Sequence, residues 1–341
     1  MGHKKKNTDN RDLHQQAYDK LKSMQSFGES KLADKRNDRD HDTDTVLNKI
    51  YSYSSYKTYW KHIKYFLGWL QKHHPEIKRL DKARRYVSVW LQTRVEENKS
   101  AWTIQTEAAA LNKLFGIKKD DPDRFKPPTR HKDEIVRSRG SKIRDRHFAE
   151  EKNKELVDFC KSCGFRRNVL ERLKGSDLLD RKQIEDILKK ARYEDDRAMI
   201  KACKDALESF DEEFFILHRN DKGGKTRISP IVGDDAGRIV ERMKNTDPNK
   251  RVWIHVSGNC DVHGYRADYA TMLYKKYARP IEELSYNRKI KCADGKYRSE
   301  IYVNRGSDKG KKLDRRALRI VSIALGHNRE DTAIANYIRD I

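Results

Sequence analysis

The sequence predicts a mainly α-helical chain with a small antiparallel β-sheet, an α+β fold in two lobes joined by a basic strap. Three observations carry that expectation. From Thr45 onward most apolar residues recur at helical spacing, while a clear β pair is confined to 213–218 and 226–231. Between the helical regions, residues 118–146 hold Pro122, Pro127 and Pro128, eleven Lys or Arg and six Asp or Glu, with no apolar period. And 341 residues suffice for two domains that each bury a core.

Charge narrows the choice of partner. There are 76 Lys and Arg against 53 Asp and Glu, a formal excess of 23. Residues 1–44 contain ten basic and nine acidic residues, so the excess belongs to the patterned body. A folded body that basic calls for a polyanion, usually nucleic acid, although charge alone does not separate DNA from RNA or an anionic membrane surface. No apolar run approaches bilayer length, so no membrane partner is expected. Five scattered cysteines without a preceding secretory signal predict a reducing, cytoplasmic setting, nucleoid-associated when DNA is bound. Cys160 and Cys163 form a CxxC, but no second Cys/His pair stands at zinc-finger spacing; they read as helix positions, and no metal site is expected.

In chain order, residues 1–44 are polar without a sustained period and read as a flexible arm with room for one short helix. In the next region, 45–119, Tyr56, Trp60, Ile63, Leu67 and Leu70 form one helical stripe, with Lys57, Lys61 and Lys64 facing elsewhere. Ala83, Tyr86, Val87, Trp90 and Leu91 form a second. Ser100 caps a third, which carries Ile104, Ala108, Leu111 and Phe115 inward. The strap, 120–146, includes Arg130 and Lys132 as candidate phosphate contacts. The second domain, 147–341, opens with a helix at 150–162. A charged helical insert at 179–210 precedes the β pair, whose turn is 220–225. A further hairpin is expected around 292–303, with its turn at 293–295 and Arg298 among its basic residues.

Four short stretches carry candidate chemistry. Gly164 breaks a helix and Arg166 stands where the next begins, with Arg167 as its rival. The turn Lys222-Gly-Gly-Lys225 can deliver an ammonium into a cleft, and Arg227 follows it. His263 and Arg266 stand at i and i+3, so a helix start aims both at one point. A helix over 313–325 stops at Gly326, His327 follows, and a helical turn over 332–338 carries Tyr337. Each alone has an ordinary reading: an Arg paired with a carboxylate, an exposed hairpin tip, a solvated His and Arg, a capping His.

Together, Gly-Phe-Arg-Arg-x-x-Leu-x-x-Leu, Lys-Gly-Gly-Lys-x-Arg-x-x-Pro-Ile, His-x-x-Arg and Leu-Gly-His followed by Tyr resemble, in that order, the catalytic domain of the tyrosine recombinase (phage integrase) family. The helical region at 45–119 resembles that family's core-binding domain. The resemblance implies Arg166 and Arg266 as an arginine pair on the scissile phosphate, Lys222 as general acid, His263 and His327 as the two histidines, and Tyr337 as nucleophile. Lys57, Lys61, Lys64, Arg130, Lys132, Lys225, Arg227 and Arg298 are candidate DNA contacts. It implies a 3′-phosphotyrosyl intermediate formed without cofactor, ATP or metal. The partners implied are double-stranded DNA recombination sites, a homo-tetramer on two sites, and an accessory directionality factor. Integration or excision of a mobile element leads; a chromosome or plasmid dimer resolvase and a catalytically inactive DNA-binding regulator are the alternatives.

Overall fold

Helical stripes and one short sheet dominate the computed structural model, which describes residues 12–131, 134, 148–191, 196–292, 294–305, 308–327, 329–339 and 341. The fold is mainly α with small antiparallel sheets, and the chain divides into Met1–Arg130 and His131–Ile341.

The first unit begins earlier than its composition suggests. Asp12 caps α1 (Leu13–Ser23) by accepting from the Gln15 amide at 2.7 Å. Leu13, Ala17 and Leu21, four residues apart, are buried in the first core. This corrects the reading of a flexible arm over the described residues 12–44. A stripe one residue wide anchors a polar helix when a core already exists to receive it. Helix α2 (Lys31–His41) buries nothing and is held by polar ties: Asp34 accepts from Lys49 at 3.0 Å and Tyr51 at 2.7 Å, and Asp38 accepts from the Thr45 and Val46 amides.

Helix α3 (Tyr53–His73) buries Tyr56, Ile63, Phe66, Leu67 and Leu70. It packs with α4 (Leu80–Ala83), α5 (Val87–Glu96) and α6 (Ala101–Phe115) around a common core. Ser100 caps α6, as expected, and Gly116 ends it at φ 64. Lys57, Lys61 and Lys64 are exposed on α3, their ammonium groups within 6.0 Å of the Tyr53, Tyr65 and Trp60 ring centroids. Buried Glu107 accepts from Arg94 Nε at 3.0 Å and Nη2 at 3.2 Å.

Lys113 makes the tie that fastens 46–49 to α6: its Nζ donates to the carbonyls of Val46, Leu47 and Lys49 at 2.7, 2.9 and 3.1 Å. Lys113→Met keeps the apolar stem and removes all three bonds. It is expected to destabilise the first unit by about 2 kcal/mol, read as a lower urea midpoint with unchanged slope.

The first half of the strap lies on this unit. Phe125 packs against its core, Ser88 donates to the Asp123 carbonyl, Gln105 donates to the Pro128 carbonyl, and exposed Arg130 sits 5.8 Å from the Trp102 ring centroid. Lys132 lies outside the described residues.

In the second unit, α7 (Lys154–Cys163) follows a 3-10 turn at Glu151–Asn153 and ends at Gly164, φ 63. Cys160 and Cys163 are buried on it, as expected of helix positions. After α8 (Arg167–Leu170), β1 (Leu178–Asp180), β2 (Phe214–Asp221) and β3 (Lys225–Pro230) form an antiparallel sheet in the order β1-β2-β3. The β pair falls as predicted; β1 adds a third strand at the start of a segment expected to be helical. The rest of that segment is α9 (Arg181–Lys190) and α10 (Arg197–Ser209).

Helix α11 (Ala236–Lys244) precedes α12 (Val262–Tyr277), which buries Arg266, Tyr269, Ala270 and Leu273. Strands β4 (Lys289–Lys291) and β5 (Tyr297–Ser299) form one hairpin; β6 (Ile301–Val303) pairs with β7 (Lys312–Asp314) in a second. Of the expected turn, Asp294 and Gly295 lie between the two strands and Ala293 lies outside the described residues; the strands begin earlier than expected, and 301–303 belongs to the second hairpin. Helix α13 (Arg315–Ala324) starts two residues later than its apolar pattern suggests, because 312–314 joins β7 and Asp314 caps the helix. The last helix is α14 (Glu330–Asn336).

Candidate active site

Two helix ends converge on arginines. A helix leaves its last carbonyls without internal partners and with partial negative charge, so cations gather there. At the end of α7, the Gly164 carbonyl accepts from both Arg227 Nη2, at 3.1 Å, and Arg266 Nη1. At the end of α13, the Ala324 carbonyl accepts from Arg227 Nη1 and the Leu325 carbonyl from Arg266 Nη2 at 2.5 Å. Two chain reversals thus hold two guanidiniums side by side. Gly326 permits this in two ways: its φ is 68, and a Cβ there would sit 2.9 Å from Arg227 Cδ.

The like charges are compensated by Asp221, 2 % exposed at the end of β2. Its Oδ2 pairs with Arg166 Nη1 at 2.5 Å and Arg227 Nε at 3.0 Å. Burial alone raises a carboxyl, but the Arg166 hydrogen bond and the charges of Arg227 and Arg166 hold Asp221 far below the usual carboxylate range. Arg166 occupies the cap position before α8, as the sequence indicated; Arg167 instead donates to the carbonyls of Ser257, Gly258 and Cys260. Arg266 is fully buried. Burial and the charges of Arg227 and Arg166 lower it to about 9, so it stays cationic at neutral pH.

Tyr337 closes this cluster. Its ring centroid lies 5.3 Å from the Arg266 guanidinium carbon and 5.4 Å from the His327 ring centroid. The phenol is 6 % exposed, Ile338 is buried beside it, and the Arg339 amide donates to Thr271 Oγ1 on α12. His327 follows the α13 stop, its amide bonded to the Ser322 carbonyl at 2.7 Å. Among the described residues, His327 Nε2 and Arg266 Nε are buried polar atoms without a hydrogen-bond partner.

The other residues singled out in the sequence stand in varied surroundings. Lys222 is exposed at the hairpin tip, with only its amide bonded to Asp221. Lys225 is the hairpin lysine whose Nζ reaches the cluster, donating to the Gly326 carbonyl at 3.1 Å; burial and Arg166 lower its pKa. An open cavity of about 270 Å³ lies there, lined by Lys225, Arg227, His327, Lys201 and Asp205 among others. Arg227 is not a surface contact: all three donor nitrogens are used internally and it is 5 % exposed. Arg298 is tied to Asp294 by two bonds of 2.8 and 2.7 Å. His263 is exposed in the first turn of α12 whereas Arg266 is fully buried, so the pair occupies different environments. Sequence reasoning missed Asp221 altogether; an acidic residue before a Gly-containing turn carries no signal of its own.

Electrostatics here predict an acid-labile second unit. Burial, then the charges of Arg266, Arg166, Arg227 and Lys225, push His327 down to about 3. Burial, then Arg227, pushes buried His218 well below its usual value; its Nε2 is 2.6 Å from Ser229 Oγ. A histidine depressed in the fold stays neutral while the unfolded chain takes up a proton, so stability falls as pH drops through about 6.5 toward the folded value. Between pH 7 and pH 5 the unit is expected to lose up to about 2 kcal/mol for each histidine. Urea melts at the two pH values measure this, and His327→Gln should remove about half of the difference.

Among the described residues, no helix is long and apolar enough to cross a membrane. No protein-family model matches the chain, and no curated protein matches it. Among solved structures it is similar to a crystal structure of XerA recombinase, at 14% identity and a TM-score of 0.25, over 95% of this chain and 94% of that one.

Proposed function

We propose that this protein cuts and rejoins DNA by transesterification, with Tyr337 as nucleophile, in the manner of a tyrosine site-specific recombinase. The observation that carries the reading is the meeting of Tyr337 with Arg266 and His327, brought together from α12, the end of α13 and the end of α14. A phosphodiester under attack gathers negative charge on its non-bridging oxygens, and fixed guanidiniums meet that charge without reorganising. Arg266 and Arg166 fill that role, Arg227 and Asp221 fix their placement, and His327 Nε2 supplies a further polar contact. The phenol gives up its proton to solvent as its oxygen attacks phosphorus, the bond to the 5′-oxygen breaks, and that oxygen takes a proton from a hairpin lysine, which solvent then reprotonates. The 3′-phosphotyrosyl ester keeps the bond energy, so a 5′-hydroxyl from another strand reverses the step.

In this state the guanidinium of Arg266 lies beneath the Tyr337 ring, so the scissile phosphate reaches it only after that ring shifts. Site-specific recombination between two sites by four protomers, with an accessory directionality factor, and service to a mobile element are the finer parts of the proposal, which rest on the motif order in the sequence. A nicked duplex from the DNA flanking the gene, whose cleaved end diffuses away, traps the covalent step. Mass spectrometry of the trapped product is expected to find the nucleotide on the peptide containing Tyr337. An adduct on another residue, or none on any cognate flank, counts against the assignment. Duplex binding without an adduct favours the inactive regulator.

A further inference from the structure

The β4–β5 hairpin serves no purpose in the chemistry above, yet its construction is specific. In antiparallel strands directly opposed residues project to the same face, and alternate residues along a strand share it. Lys291 opposes Tyr297 and Lys289 opposes Ser299, so Lys289, Lys291 and Tyr297 share one face of the ribbon. Both lysines are exposed and Tyr297 is 69 % exposed. Ile290 and Arg298 take the other face.

Negative charge has been withdrawn from this segment. Residues 286–312 hold nine Lys or Arg and three acids. Glu300 is fully buried, accepting from the Ser285 amide at 2.7 Å and pairing with Arg279 and Arg288. Asp294 is neutralised by Arg298 across the turn. Asp308 remains exposed in the other hairpin. Fully buried Asp314 takes three bonds from Arg279, which fastens the second hairpin to the end of α12. The ribbon is therefore anchored at its base through Glu300, outwardly cationic, and carries an exposed ring opposite Lys291.

We propose that the β4–β5 ribbon is a duplex-DNA contact, seated against the backbone or within the major groove. A two-stranded ribbon matches the groove's width, lysines match its phosphates, and a tyrosine at the tip end offers both an apolar face and a hydroxyl. The choice of DNA as polyanion rests on the proposed function; the location of the contact rests on the ribbon alone.

The test uses the full chain with Lys289→Gln, Lys291→Gln and Tyr297→Ser combined, measured on a fluorescent random-sequence duplex across a salt series. Losing two phosphate contacts is expected to flatten the slope of log affinity against log salt by about 1.8, with affinity near 0.1 M salt falling on the order of tenfold to a hundredfold. Lys189→Gln with Lys190→Gln, exposed on α9, removes the same charge elsewhere and should leave the slope nearly unchanged. An unchanged slope in the ribbon variant, or equal flattening in both, overturns the proposal, as does binding of anionic phospholipid vesicles through the ribbon in preference to duplex. Covalent capture by Tyr337 is scored in parallel on the wild-type chain. Ribbon-dependent binding without capture would sink the cleavage reading and leave the contact standing.

Discussion

Tyr337→Phe is expected to lower covalent capture of DNA by about 10⁴-fold or more while leaving the protein folded and DNA-binding. The variant loses one oxygen and keeps the ring. That ring packs over Arg266 and beside His327, so melting temperature should change by only a few degrees. Retention of labelled nicked duplex on a denaturing gel reads the loss directly, and salt-dependent binding reads what remains.

Other tyrosines of the second unit have their hydroxyls turned to partners away from the arginine cluster. Tyr269 donates to the Pro230 carbonyl at 3.1 Å and Tyr265 to Glu150 at 2.8 Å. Tyr274 accepts from the Asp314 amide, and Tyr277 accepts from the Asp211 amide while donating to Glu212. Residual capture in the Phe variant, mapped to one of these residues, is the result that removes Tyr337 from the role.

The parts of the site that were legible in the sequence are those with local punctuation. Gly164 and Gly326 stop helices, and the residues beyond each stop, Arg166 and His327, are placed by a chain reversal that a glycine announces. Arg227 was misplaced for a physical reason. A two-residue period locates a side chain only when one face of a strand is wet. Here both faces of β3 are covered: Arg227 and Ser229 are buried on one side, Ile228 and Pro230 on the other. An arginine in a doubly covered strand has to find carbonyls and a carboxylate, and those come from residues 164, 221 and 324, which no local pattern connects. Strand β1 is too short to show a period, and α1 has too few apolar residues to raise its mean hydropathy. Lys222 and Lys225 differ only in which side of a tight turn they occupy, a distinction that register decides.

Arg266→Ala is expected to act on stability and on chemistry at once, and the two can be separated. The side chain is fully buried and supplies one bond each to the Gly164 and Leu325 carbonyls, so its removal strips Leu325 of that donor, leaves Gly164 with Arg227 alone, and opens a cavity beside them. A loss of about 3–5 kcal/mol follows from mechanisms of that kind, visible as a lower urea midpoint. Single-turnover cleavage, measured below the new midpoint, should fall by a further 10²- to 10³-fold, about the cost of deleting one preorganised donor at a developing oxyanion. Arg266→Lys keeps a charge, but an ammonium is a point donor and cannot reproduce the planar fork that spans two carbonyls, so it should recover stability better than rate. Free guanidinium at millimolar concentration, well below denaturing levels, provides the decisive comparison. If the cavity left by Ala admits it, cleavage should rise with its concentration in Arg266→Ala and not in Tyr337→Phe. Recovery in neither variant, with the Ala protein still folded and DNA-bound, would mean that Arg266 braces two helix ends and does nothing for the phosphate.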